Sequence, residues 1–456
     1  MTSQAANSDA SYRFAPDARA LNHIPGDDGW PLLGRTLAVL RDLSKVADEH
    51  LRRFGPVSRI TVGGQRGLLV ADADLFQRIL VDTERGFSAE MGYVGQLGVF
   101  YPRGLLLSDF DEHRVNRRLM QAAFKVEALR RYLAMLQPIV AQHVEQWVAA
   151  GQIVFYPRIK ALLLEVAAHC FLGLTAFERE RDRVNRLFLD LNAGLIAVLR
   201  ADLPFGAHGR AKRARRLLEA WFARLIAERR AAGSGGDDAL SRLCRESDEQ
   251  GRPFAVDVIV DQMIFLLFAA HDTATSTLTH LAMHLGRDAA LQQRLRDHVA
   301  GAAAPLAHED LLRFDFAGHC FNEALRLHPP VPMMMRRTLR DGELAGHRVP
   351  AHTLLFMPSM TNQLDPRWWS EPARFDPDRF AAPRSEHKRH AMAFHPFGGG
   401  AHKCIGLHFA EMVGKAVLHA WLPRARLATP PGYAPRLQWV PLPKPADGVP
   451  LCLTSA

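Results

Sequence analysis

Cysteine is scarce in this chain, and the five present form no framework. Cys170, Cys244, Cys320, Cys404 and Cys452 are odd in number, and no two share a CxxC spacing. That pattern argues against a disulfide scaffold or a Cys-rich zinc site. The N-terminus has no cationic start followed by an apolar core, so no signal peptide is read there. No run reaches the roughly 18–20 apolar residues of a membrane-crossing helix. Internal repeats and long blocks of like charge are also missing. Lysine is rare: 8 of the 57 basic residues are Lys and 49 are Arg, the mark of an Arg-preferring, GC-rich bacterial genome. What is plentiful is ordinary globular material. Hydrophobic residues are 48% and charged residues 23% of 456, which excludes a disordered chain, a collagen or a coiled-coil rod. The formal charge of +9 fits nucleic acid, an acidic lipid surface or an acidic protein, without choosing among them. A cytoplasmic protein is expected.

Residues 1–23 read as a poorly ordered lead-in, and 24–456 as one large unit. Ile24-Pro25-Gly26 opens a turn-rich entry. A helical pattern over about 37–53 precedes two short strands, 57–62 and 67–71, around Gly63-Gly64. From about 109 to 330 the periodicity is helical with few breakers, and Gly233-Ser234-Gly235-Gly236 reads as a flexible connection. Short strands near 345–357, a coil-rich stretch from 361 to 400 and a helix over about 406–422 complete the chain. The expected fold is mainly α with small β-sheets.

The most informative segment is Phe397-Gly398-Gly399-Gly400-Ala401-His402-Lys403-Cys404-Ile405-Gly406. It lacks the Gly-Lys-Ser/Thr of a phosphate-binding loop. A lone buried Cys is commonly an inert small hydrophobe. Three consecutive Gly before it permit close backbone approach of something flat or bulky. A Cys at a helix start also has backbone N–H groups and the helix dipole to stabilise a thiolate. A nucleophilic Cys hydrolase is the competing reading.

The pattern Phe-x-x-Gly-x-x-x-Cys-x-Gly resembles the cytochrome P450 family. The resemblance implies a P450 fold in which haem b lies between a long distal helix and the Cys-loop helix. Cys404 becomes the iron ligand, and Phe397 and Gly406 belong to the cofactor loop. The family's Glu-x-x-Arg is matched by Glu323-Ala324-Leu325-Arg326, and its later Arg by Pro377-Asp378-Arg379-Phe380, with Asp378 where Glu is usual. Glu323, Arg326 and Arg379 are expected to form a buried structural network. The distal motif is matched by Ala269-Ala270-His271-Asp272-Thr273, with Ala270 where Gly is usual. Asp272 and Thr273 are then the catalytic proton relay. The plainer reading of Thr273 is a hydroxyl bonding back to the i−4 carbonyl. His113, Arg117, Arg336 and His402 match positions that hold the haem propionates, which need cationic partners. Tyr93, Phe100, Phe265, Phe268, Ala269, Val331, Met333, Met334 and Met335 are the expected substrate lining, although each could equally be core. His280 and His284 lack the acidic residue of HExxH and read as polar helix-face residues.

The implied activity is a monooxygenase that uses O₂ on a C–H bond of a hydrophobic small molecule of terpenoid, steroid or fatty-acyl type. Among relatives the sterol 14α-demethylase branch looks nearest, but Asp272 stands where those enzymes typically carry His. No fused redox domain is visible, so electrons are expected from a ferredoxin and its NAD(P)H-dependent ferredoxin reductase. Arg118, Lys125, Lys403 and Lys415 form the expected docking patch. No nucleic acid, no membrane span and a monomeric state complete the expectation. The competing classes are a peroxide-using or isomerising haem-thiolate enzyme and a non-catalytic haem sensor.

Overall fold

The computed structural model describes residues 18–456 apart from 175–177, 196, 198–200, 204 and 234–235. The helices are α1 (Thr36–Phe54), α2 (Ala73–Val81), α3 (Glu90–Leu97), α4 (Phe110–Gln121), α5 (Val126–Ala150), α6 (Phe155–Leu172), α7 (Glu178–Leu195), α8 (Ala207–Ala231), α9 (Ala239–Arg245), α10 (Val256–Arg287), α11 (Ala289–Val299), α12 (Asp315–Leu327), α13 (Met360–Gln363) and α14 (Leu407–Trp421). The strands are β1 (Gly26–Asp27), β2 (Val57–Val62), β3 (Gln65–Val70), β4 (Phe87–Ser88), β5 (Gln152–Val154), β6 (Met333–Thr338), β7 (Gly342–Leu344), β8 (His347–Val349), β9 (Leu354–Pro358), β10 (Ala425–Ala428), β11 (Leu437–Gln438), β12 (Lys444–Pro445) and β13 (Pro450–Ser455). Helices dominate and the sheets are small, as the periodicity predicts.

Of the expected lead-in, residues 1–17 lie outside the described residues, while 18–23 are anchored. Leu21 is fully buried, Arg66 donates to Asn22 Oδ1 at 2.7 Å, and the His23 ring meets the Arg348 carbonyl at 2.8 Å. Ser234 and Gly235 of the expected flexible connection also lie outside the described residues.

The largest sheet has the order β1-β2-β3-β9-β6-β4. Its first hairpin turns at Gly63 and Gly64, both at positive φ (63° and 73°), which is why the two-residue turn takes Gly-Gly. The second strand starts at Gln65, two residues before the patterned start. β6 lies antiparallel to β9 with Met335 opposite Phe356, and so presents Arg336 next to α3.

α10 runs through the middle of the helical layer, packed against α6, α8 and α12. At 32 residues it is long and apolar enough, by length and composition, to cross a membrane. This corrects the expectation that no segment qualifies; scattered Thr, Ser and His hide the apolar content from a run count. Buried partners on several sides make α10 the central core helix. Asp288 ends it and caps α11, its carboxylate accepting from Leu291 N at 2.8 Å.

Candidate active site

Two glycines shape the cysteine loop. Gly398 and Gly400 hold φ of 70° and 62°, a region that L side chains avoid. A Cβ on Gly400 would also collide with the Leu80 carbonyl of α2. Cys404 N donates to Phe397 O at 2.9 Å, which closes the loop just before Gly406 caps α14. The N–H groups of Gly406 and Leu407 point at the Cys404 sulfur. Burial pushes the Cys404 thiol up, and those N–H groups with Arg117 pull it back. Cys404 nevertheless presents accessible surface, whereas Cys170, Cys244 and Cys320 are buried.

The four expected cations converge beside this loop. The rings of His113 of α4 and His402 lie tilted against each other with centroids 4.1 Å apart. His402 Nε2 lies 3.4 Å from Asp109 Oδ1. Arg336 is buried on β6, where NH1 donates to the Met335 carbonyl at 2.8 Å and the Tyr93 hydroxyl stands beside it. Gly92 makes this approach possible, since a Cβ there would sit 2.9 Å from Arg336 Cα. Burial, then the charges of His402 and Arg117, push His113 down to about 4. Its Nε2 is buried without a partner. Two arginines and two close imidazoles, one with an unpartnered nitrogen, next to an accessible thiol served by two N–H groups, fit an iron-porphyrin carrying carboxylates.

On α10 a stripe of half-buried residues interrupts an otherwise buried helix. It comprises Phe265, Phe268, Ala269, Asp272 and Thr273, the i, i+3, i+4, i+7, i+8 spacing of one face. Ala270, in place of the usual Gly, is half-buried beside it. The Thr273 hydroxyl donates to Ala269 O at 2.8 Å, the plainer of its two readings. The Asp272 carboxylate is held by Lys160 Nζ at 2.8 Å, Asn192 Nδ2 at 3.1 Å and His271 Nε2 at 3.4 Å. Burial pushes Asp272 up, but His271 and Lys160 together hold it below the ordinary aspartate range.

The family model described as cytochrome P450 matches residues 24–443. The chain belongs to the cytochrome P450 family. Cytochrome P450 136 of Mycobacterium tuberculosis is 38% identical over 448 residues, covering 96% of this chain and 90% of that protein. A sterol 14-demethylase of Arabidopsis thaliana is 28% identical, covering 89% and 86%. Among solved structures, the retinoic acid bound cyanobacterial CYP120A1 superposes with a TM-score of 0.87 at 28% identity, covering 95% of this chain and 99% of that one. As a cytochrome P450 the chain is a haem b monooxygenase. When bound, haem supplies the iron at which O₂ is activated.

The P450 fold rests on a saturated ion network. Arg326 donates to Glu323 through Nε and NH2 at 2.7 and 2.8 Å. Arg379 Nε reaches Glu323 Oε1 at 2.9 Å, and all three side chains are buried. The sequence reading missed a fourth member, Glu386, which accepts from Arg379 NH1 at 2.7 Å. Burial pushes Glu386 up, yet bonds from Ser370, Arg384 and Arg379 bring it down to about 2. Asp378, the departure from the usual Glu, turns outward to a bidentate pair with Arg294 at 2.6 and 2.7 Å.

Several expected roles change place. Lys415 is not on a docking surface: it is buried, bonded to Leu311 O at 2.9 Å and paired with Glu411 at 2.7 Å, because its side of α14 faces α12. Arg118, Lys125 and Lys403 are exposed, and Arg118 pairs with Glu249 at 3.5 Å. The three methionines cannot share a wall, since strand residues alternate faces. Met334 packs in the second core cluster with Leu80 and Met392, and its sulfur lies 3.8 Å from where a Gly398 Cβ would stand. Met333 and Met335 face the main core. Tyr93 accepts from Met335 N at 3.0 Å, and so braces β6. Phe100 is buried against the His208 ring at 5.4 Å. Val331 is exposed just before β6. Tyr101, absent from the expected lining, lies tilted against Phe268 with ring centroids 4.6 Å apart.

His280, His284 and His328 form a buried imidazole stack. His280 and His328 lie 4.2 Å apart, and His284 Nε2 meets His328 Nε2 at 3.2 Å. Among the described residues no group of three or more His, Cys, Asp or Glu is arranged to hold a metal ion.

Proposed function

We propose that this monooxygenase hydroxylates an apolar, lipid-sized substrate held against the α10 stripe. The observation that carries this reading is the stripe itself, in which Phe265, Phe268 and Ala269 leave accessible apolar surface inside a buried layer. Such surface fits terpenoid, steroid or fatty-acyl ligands. The retinoic acid bound neighbour and the sterol 14-demethylase relatives agree with that class.

In this reading Cys404 ligates iron through its thiolate, steadied by the Gly406 and Leu407 N–H groups. His113, Arg117, Arg336 and His402 hold the propionates, with Asp109 fixing the His402 ring. Glu323, Arg326, Arg379 and Glu386 fix the loop that carries Cys404. Asp272 carries protons towards the dioxygen site and Thr273 Oγ1 passes them on, which requires each to leave its present partner. Electrons come from a ferredoxin and its NAD(P)H-dependent reductase, docked through Arg118, Lys125 and Lys403 on the Cys side. The protein acts as a cytoplasmic monomer, and residues 24–456 form the haem domain.

The test is the carbon monoxide difference spectrum of the reduced protein, followed by a spin-state titration with retinoids, sterols and fatty acids. The red-shifted thiolate Soret band and a saturable spin shift with one of these classes are expected. A His-type band overturns the Cys404 assignment. Absence of any apolar ligand response overturns the substrate class.

A further inference from the structure

The half-buried stripe of α10 stops at Phe265, and buried polar atoms without partners cluster where it stops. Among the described residues, the Tyr101 hydroxyl, Arg215 NH1 and Gln262 Oε1 meet no hydrogen-bond partner. Tyr101 and Gln262 are fully buried, and Arg215 is 5% exposed. A buried polar group left alone is costly. Three of them at one end of an apolar face call for a polar ligand atom.

The packing brings the three residues to that end. Asp261 and Gln262 precede Phe265 by four and three positions, so they continue the same face of α10. Arg215 of α8 donates to Asp261 Oδ1 through NH2 and to Glu219 through Nε at 2.9 Å. Gln262 Nε2 donates to the Arg103 carbonyl at 2.6 Å, which leaves its oxygen as an acceptor. Tyr101 sits between α3 and α4 and lies on the stripe, with ring centroids 5.9 Å from Phe265 and 4.6 Å from Phe268. A Cβ on Gly104 would stand 2.7 Å from the Phe265 ring, so this segment rests directly on α10. Arg215 and Asp272 are the charges that act on the Tyr101 hydroxyl.

Charge selects the ligand. Arg103 reaches Asp261 Oδ2 through Nε at 2.7 Å and Asp257 Oδ2 through NH1 at 2.8 Å. The two guanidinium groups of Arg103 and Arg215 therefore face the three carboxylates of Asp257, Asp261 and Glu219. A carboxylate ligand would add negative charge where no cation is spare. A neutral oxygen meets no such penalty. A ketone or hydroxyl can accept from Arg215 NH1 and Tyr101, and a hydroxyl can also donate to Gln262 Oε1. Burial pushes the Tyr101 hydroxyl well above its ordinary range, with Arg215 opposing, which keeps it a neutral donor. The helix then sets a length. Phe265 and Thr273 are eight residues apart, ~12 Å along the axis. We propose that Tyr101, Arg215 and Gln262 anchor a neutral hydroxyl or ketone at one end of the substrate, so that the carbon to be oxidised lies at the other end, ~12 Å away. This narrows the apolar-substrate reading above and rests on it.

The experiment is a spin-state titration of the haem-loaded full chain with two matched sets. One is dodecane, dodecan-1-ol and dodecanoate; the other is androstane, androstan-3-one and androstane-3-carboxylate. In each set the neutral oxygenated member is expected to bind ~10-fold tighter than its hydrocarbon or its carboxylate. Tyr101→Phe should lose ~5–10-fold of the affinity for the alcohol or ketone and leave the hydrocarbon within ~2-fold, with Tm unchanged. Arg215→Lys keeps a cation on Asp261 but loses NH1, and should act in the same way. Turnover of dodecan-1-ol should place the new hydroxyl at the far end of the chain, and Tyr101→Phe should spread it along the chain. Equal binding across both sets, or a carboxylate preference, overturns the anchor and leaves the apolar pocket standing. So does a preference that survives in both variants, or wild-type product beside the existing hydroxyl. No spin shift with any member overturns the apolar-pocket reading, and the anchor with it.

Discussion

Two carboxylate clusters inside the helical layer are built to opposite ends. Around Glu323 every polar atom of the carboxylate is engaged: Arg326 takes both oxygens, and Arg379 and the Asp376 N–H share Oε1. Around Asp272 the partners come from three helices, α6, α7 and α10, and the carboxylate lies on the half-buried stripe. A saturated network in a dry core is rigid, and its loss is felt as folding. A carboxylate with accessible surface and a lysine it can release is suited to exchanging protons. The lesson is that burial of charge does not by itself mark a catalytic group; three partners hold each carboxylate, and the difference lies in Glu323 being sealed in the core while Asp272 keeps accessible surface.

The comparison breaks most sharply at Glu323. Glu323→Gln leaves Arg326 and Arg379 buried with half their compensation, a cost of about 3–5 kcal/mol. Little haem-loaded protein should be recovered, read as the ratio of Soret to protein absorbance together with Tm. Normal haem content in that variant would mean that the network is not what holds the loop.

Asp272 should behave in the opposite way. Asp272→Asn keeps shape and bonding to Asn192, so haem content, Tm and the spin-state shift should stay within error. Turnover should fall by about 10²-fold or more, the range for loss of a proton-transfer group, with a larger solvent isotope effect. Lys160→Met removes the nearest cation while leaving Asp272 in place. It should raise the Asp272 pKa and shift the acid limb of the turnover profile upward, with a smaller rate loss than Asp272→Asn. An unchanged pH profile in Lys160→Met would sink the idea that the lysine sets the state of Asp272.

A third buried cluster extends the comparison to pH. Burial pushes His280 down to about 4, and burial with the charges of His280 and Arg287 pushes His284 down to about 3. Both are neutral when folded and take up protons when unfolded below about 6.5. The unfolded state then binds more protons, so stability is fully present above pH about 6.5 and falls as pH drops towards 4. Urea midpoints at pH 7.5 and 5 check this; replacement of both residues by Gln should flatten the dependence. A wild-type midpoint that does not fall at pH 5 would mean the imidazoles are already charged in the core.

The parts of the site that were legible in the sequence are those whose partners are close along the chain. The cysteine loop spans ten residues, and Glu323 and Arg326 are one helical turn apart, so spacing alone groups them. Lys160 and Asn192 lie 112 and 80 positions from Asp272, Glu386 lies 63 from Glu323, and no local pattern joins such pairs. Lys415 failed for a different reason. A charged residue on a helix beside a functional loop is assigned to the surface by default, and only the packing of α12 on α14 reveals that this lysine faces inward. The division of Met333, Met334 and Met335 was readable in principle, because a strand puts alternate residues on opposite faces.

The smallest effect is expected at Asp378, and it tests the same contrast within two adjacent residues. Arg379 points inward to Glu323 and Glu386, while Asp378 turns outward to Arg294, with both partners of that pair well exposed. The Arg294 pair holds the Asp378 carboxyl below its usual range, burial opposing slightly, but water screens most of that interaction. Asp378→Asn should therefore cost only about 0.2–1 kcal/mol and leave the Soret band unchanged. Asp378→Glu, which restores the residue usual at this position, should be neutral, because the longer side chain can keep Arg294 without reaching the buried network. If Asp378→Asn lowers haem content as Glu323→Gln does, the outward pair is part of the haem support and the boundary between the dry network and the surface lies one residue further out than the geometry places it.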